Sequence, residues 1–192
     1  MKWRTTFLAL NVVGLLASGW ASTGCGGGGG GGGGPTNPPT IPPSGISFSP
    51  DASASANSIS LSSGGGSGSV FILDVDVQGV TDLYGVSFLL TYPDSLLAFS
   101  KNSESAGTFL GGNGEFEIDL QASERNAGEV TVGISRLGEV AGASGSGLLL
   151  SLEFTRRAAG TGRMEMTDHD ALDSYGVVQA EVDWISGSIT VR

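Results

Sequence analysis

Leu83–Phe99 reads LYGVSFLLTYPDSLLAF. As a strand it places Val86, Phe88, Leu90 and Tyr92 on one face and Ser87, Leu89 and Thr91 on the other, the two-residue period of a strand with one buried face. A segment this apolar belongs in the interior of a sheet. Pro93-Asp94 ends it, because proline has no N–H to give to the ladder, and Leu96 to Phe99 begins a short return strand.

The same alternation recurs on both sides. Ile46 and Phe48, then Ile59 and Leu61, mark two short segments before Phe71, Leu73, Val75 and Val77, which alternate with Ile72, Asp74 and Asp76. After the opening stretch come Phe116, Ile118 and Leu120, then Val130, Val132 and Ile134, then Leu148, Leu150, Leu152 and Phe154, then Met164 and Met166. Val177 to Val191 supplies a last pair of segments. Val182 and Trp184 share one parity and Ile189 and Val191 the other, so a bulge or bend is expected at Ser186-Gly187-Ser188. Gly, Ser, Asn and Pro fill the gaps, and no helical period runs beyond two turns after the N-terminal region. The pattern predicts an all-β, nine-stranded antiparallel β-sandwich.

Ahead of these strands the composition changes. Lys2 and Arg4 precede an apolar run, Thr6 to Trp20, shorter than the roughly 18–20 residues of a membrane span and shaped like the apolar region of an export signal. It ends in Ala21-Ser22-Thr23-Gly24-Cys25, which resembles a bacterial lipobox; that resemblance implies lipidation at Cys25, with Gly26 after it favouring the outer membrane. Cys25 is the only cysteine, so no internal disulfide is available. Nine glycines, Gly26 to Gly34, and then PTNPPTIPPSG, Pro35 to Gly45, read as a tether: a coil of roughly 15–18 Å reach followed by a stiffer piece of about 30 Å. The expected organisation is residues 1–24 signal, 25–45 tether and 46–192 one β-sandwich domain. Without Lys2 and Arg4 the chain keeps 7 basic against 19 acidic residues. That balance repels phosphate backbones and anionic lipid heads, so no nucleic acid is expected as a partner, and membrane contact only through Cys25.

Four blocks resemble cohesin domains: VTDLYGVSFLLTYPDSLLAF (Val80–Phe99), ISRLG (Ile134–Gly138), GASGSGLLLSLEFTRRAAGTG (Gly142–Gly162) and GSITV (Gly187–Val191). The resemblance implies jelly-roll topology and a dockerin-bearing protein as partner, bound on one sheet. Its strands would be the opening stretch, Phe116–Gln121, Val130–Ser135 and Leu148–Thr155. By parity the outward residues there include Ser87, Leu89, Thr91, Asp119, Thr131, Ser135, Leu149, Ser151 and Glu153. Leu89 and Leu149 are apolar where parity predicts solvent, which marks either an interaction patch or two positions that lie under a loop.

Reactive groups are few. His169 is the single histidine and reads as a solvated turn residue. Asp168, Asp170 and Asp173 cluster, but without the spacing of a calcium loop, and the carboxylates Glu117, Asp119 and Glu153 sit at outward strand positions rather than in a cleft. No enzyme activity, metal or cofactor is expected. The alternatives are an envelope spacer with no specific ligand, suggested by the tether, or a polysaccharide-binding module, yet flat sugar surfaces need coplanar exposed aromatics, and beyond the signal only Trp184, Tyr84, Tyr92 and Tyr175 carry large polar-tipped rings.

Overall fold

A computed structural model of the protein describes residues 45–192; the expected signal, the expected lipidation site Cys25 and the expected tether up to residue 44 lie outside them. The described chain runs β1 (Ile46–Pro50), β2 (Ser58–Gly65), β3 (Val70–Leu83), β4 (Gly85–Thr91), β5 (Leu97–Phe99), β6 (Ser105–Ala106), α1 (Thr108–Gly111), β7 (Ile118–Asn126), β8 (Glu129–Arg136), β9 (Ala143–Arg156), β10 (Gly160–Leu172), β11 (Asp183–Ile185) and β12 (Gly187–Val191). One sheet has the order β1-β12-β10-β4-β8-β7, the other β11-β2-β3-β9-β5 with β6 also pairing β9. This is the all-β jelly-roll sandwich expected, with twelve strands in place of nine. Part of the surplus is β6, two residues long and too short to show a countable period; β11, three residues long, covers Trp184 in the first of the last two expected segments. β11 also pairs with β2 in parallel, against the expectation of a wholly antiparallel structure.

β4, from the opening stretch, is interior to its sheet, between β10 and β8. Val86, Phe88 and Leu90 are buried between the sheets. β3 faces them from the other side with Phe71, Leu73, Val75 and Val77 buried. Tyr92, Phe99 and Phe154 interlock, with ring centroids 5.1 Å (Tyr92–Phe154) and 5.7 Å (Phe99–Phe154) apart. Pairs of this kind add about 0.5–1.5 kcal/mol to the area they bury. They tie β5 and β9 of one sheet to the residue that follows β4 of the other.

Three local departures from simple alternation shape the rest. The Ser186 break is a crossing between sheets rather than a bulge, since β11 belongs to one sheet and β12 to the other. In β9 the register slips opposite Val75 and Asp76, which pair with Leu150 and Leu148, so Leu149 is the extra residue. In β10 it slips between Thr167 and Asp170, around Asp168 in the left-handed region (φ 46°). His169 is therefore on a strand bulge, stacked on Trp184 at 4.3 Å and 14°, not in a turn. Phe116 precedes β7, and α1 inserts fully buried Leu110 at the edge of the sandwich.

Candidate partner-binding face

The outer face of the β10-β4-β8-β7 sheet is a grid of rows across four strands. Leu172, Gly85, Ser135 and Asp119 form one row, then Asp170, Ser87, Gly133 and Gln121, then Thr167, Leu89, Thr131 and Ser123. Glu165, Thr91 and Glu129 start the next. Alternation turns these residues outward because Val86, Phe88, Leu90, Val130, Val132, Ile134, Met164 and Met166 are buried on the reverse side. Six of the residues expected at an interaction site, Ser87, Leu89, Thr91, Asp119, Thr131 and Ser135, come together here.

Gly133 sits at the middle of the grid, and a Cβ built on it would meet nothing within 4 Å. Gly85 likewise offers no side chain, so the face is hollowed into a trough of about 460 Å³ bounded by Ser87, Asp119, Gln121, Thr131, Ser135 and Leu172. Among the described residues the side chains of Ser87, Thr91, Thr131 and Ser135 take part in no recorded hydrogen bond, while Gln121 Nε2 donates to Asp119 at 3.1 Å. The face therefore presents free hydroxyl donors and acceptors around one half-buried apolar residue, Leu89. At its far margin Arg163 is held by Asp51 (2.7 Å) and Glu165 (3.0 Å). Hydrogen bonding to these carboxylates raises the guanidinium pKa, and the Arg163 bond in turn lowers that of Asp51.

Leu149, Ser151 and Glu153 do not belong to this face. β9 lies in the opposite sheet, so their outward side is on the other surface of the molecule. Leu149 is also fully buried, because the β9 bulge turns it inward beside Leu150. Ser151 Oγ donates to Asp74 and Ser62 Oγ to Asp76 (2.6 Å), so that surface satisfies much of its own polarity. The fourth strand of the grid is β10 instead. Its outward residues Glu165 and Thr167 alternate with Met164 and Met166, a parity visible in sequence; its place beside β4 was not.

Beyond the first row the chain forms a well-tied corner. Asp82, in the left-handed region at φ 52°, accepts from Gly142 N–H (2.8 Å) and from the Ser174 hydroxyl (2.8 Å). Those bonds, the Ser174 one first, hold its carboxyl below the usual range. Asp173 accepts from Tyr175 N–H and Val177 N–H at 2.9 Å each, which accounts for this aspartate without a cation. No group of three or more His, Cys, Asp or Glu among the described residues is gathered closely enough to hold a metal. Aromatic rings do not line up either: Tyr92 is buried, Trp184 is half-buried under His169, and Tyr175 is exposed at 88%.

No protein-family model matches the chain, and no curated protein matches it. Solved structures do. A non-cellulosomal cohesin from the archaeon Archaeoglobus fulgidus aligns over 70% of this chain and 89% of its own, at 19% identity and a TM-score of 0.53. The second type II cohesin module of an adaptor scaffoldin from Acetivibrio cellulolyticus aligns over 70% and 90%, at 14% identity and a TM-score of 0.60. The sixth cohesin of scaffoldin B from the same organism, solved in complex with a Cel5 dockerin mutant, aligns over 72% and 100%, at 17% identity and a TM-score of 0.56. The described residues thus have the fold of a cohesin-type domain.

Proposed function

We propose that residues 46–192 are a non-catalytic module that binds a protein partner through the outer face of the β10-β4-β8-β7 sheet. The observation that carries the reading is the Gly133 trough with its ring of hydroxyls unpaired among the described residues, on a sheet face that those residues leave open. The cohesin fold supports it, and since solved cohesins of this fold include dockerin complexes, a dockerin-bearing protein is the first partner to test, in a polysaccharide-degrading assembly. Lipid on Cys25 and the tether of residues 25–45 would hold the module off the outer membrane or cell surface.

Capture of dockerin-bearing proteins on the immobilised full-length chain tests the face. Gly133→Tyr puts a ring into the trough from a position where an added Cβ meets nothing within 4 Å, and Leu89→Asp places a charge among Thr131 and Thr167; both are expected to abolish capture while remaining folded. Capture undiminished in both variants sinks the assignment. Membrane fractionation with Cys25→Ser tests the anchor: release of the variant into the soluble fraction is expected, and retention would overturn lipidation as the means of attachment.

A further inference from the structure

Four large apolar side chains are exposed among the described residues, and all four fall at one end of the candidate face. They are Leu137 at 46%, Tyr175 at 88%, Val177 at 59% and Val178 at 51%. Hydrogen bonding brings their backbones together. Val178 bridges Leu172, Leu172 pairs with Gly85, and Gly85 pairs with Ser135, two residues before Leu137. Tyr84 clamps the same ends, donating its N–H to Leu172 and accepting from Arg136 N–H. At about 4.8 Å per strand the group spans roughly 15 Å, within reach of one binding segment. The loop that carries three of the four is held by Asp173 and Asp82 rather than loose, through the bonds to Tyr175, Val177 and Ser174.

The charge around this end has one sign. Asp119 closes the first row on one side, with Glu117 preceding it, and Asp168 and Asp170 stand on the β10 side. None of the four is in a salt bridge among the described residues, where the basic partners of acids are Lys101 and Arg163. Arg136, next to Leu137 in sequence, is buried, donates to the carbonyls of Leu110 and Ala141, and lies 4.0 Å from the centroid of the Phe116 ring. An apolar cluster flanked by unneutralised carboxylates is complementary to apolar anchors flanked by cations, and it repels an anionic lipid surface.

We propose that this end of the sheet recognises a basic protein segment, with its apolar side chains on Leu137, Tyr175, Val177 and Val178 and its lysines or arginines over the carboxylates at the two sides. The proposal rests on the partner-binding reading of the adjoining face and assigns the chemistry of what binds there. The apolar end supplies affinity by burial, and the carboxylates set orientation and speed of encounter.

A random peptide library displayed on phage, selected on the immobilised full-length chain, tests it. Recovered peptides are expected to combine apolar residues with an excess of Lys and Arg. Their affinity should fall about tenfold or more in Tyr175→Ser/Val177→Ser and in Asp119→Asn/Asp170→Asn, and should weaken as salt is raised. The replaced side chains are exposed and surplus to the core, so circular dichroism and melting should match the parent. Selected peptides without basic enrichment, or affinities unchanged in both double variants, overturn the proposal. Gly133→Tyr separates it from the wider reading. Binding lost in Gly133→Tyr but unchanged in the two double variants leaves the face and removes this end; binding lost in the double variants but kept in Gly133→Tyr does the reverse.

Discussion

Two single side chains decide more than their neighbours. Asp82 joins three segments distant in sequence, through Gly142 N–H and the Ser174 hydroxyl, while its own carbonyl accepts from Gln179 Nε2 at 3.1 Å. Because its folded pKa is depressed, the carboxylate stabilises the fold above the unfolded aspartate value, near about 3.9. That contribution is lost as pH falls through the lower folded value. Asp82→Asn keeps a residue that tolerates the left-handed backbone but removes the charge. Urea midpoints are expected to lie below the parent's at neutral pH and to converge with them under acid; parallel curves would show that Asp82 contributes nothing by ionisation. Arg136 acts differently. Its buried guanidinium satisfies the carbonyls of Leu110 and Ala141, so Arg136→Met should cost about 1–3 kcal/mol for each carbonyl left without a donor, read as a drop in unfolding free energy. Neither role was legible in sequence, where Arg136 is one residue of ISRLG and Asp82 one of VTDLYG. Both depend on partners brought from far along the chain.

At the scale of elements, parity was legible and register was not. β3 and β4 bury the residues that alternation selects, since each strand carries its own period. β9 does not, because its bulge is a property of the β3–β9 pair. The consequence is measurable in two leucines that look alike in sequence. Leu149→Asp puts a charge into a fully buried site and is expected to prevent folding or to cost more than about 3 kcal/mol. Leu89→Asp, on the open face, should change stability by less than about 1 kcal/mol. Equal melting temperatures for the two would contradict the bulge. Two glycines make the same point. A Cβ at Gly107 would land on the Leu148 carbonyl, whereas one at Gly133 meets nothing. Gly107→Ala should therefore lower the melting temperature, and Gly133→Ala should leave it level or raise it, because alanine suits a strand better than glycine does.

For the whole molecule, the buried side chains form one continuous cluster between the two sheets. A chain starting at Gly45 is thus expected to melt in one cooperative transition, with calorimetric and van't Hoff enthalpies in agreement; two transitions would break the domain assignment. Its surface is acidic, and the few basic side chains are mostly engaged, Arg163 with two carboxylates and Arg136 inside. A partner that complements this surface brings positive charge, and its association rate should decline with ionic strength.

The amino-acid sequence by itself determined the class of the fold, the main strands and their buried faces, and six residues of the candidate face. Those features arise from near neighbours: a period of two, a proline that cannot donate, a glycine turn. Tertiary structure alone decided that β10 rather than β9 stands beside β4, that the chain changes sheets at Ser186, and that Leu149 turns inward. It also decided that Leu137 and the loop of Tyr175 to Val178 fall at the same end of the trough, linked through Leu172, Gly85 and Ser135. Each of these is a choice of pairing between segments far apart in the chain, and local patterns constrain which side of a strand is buried without specifying which strand lies next to it.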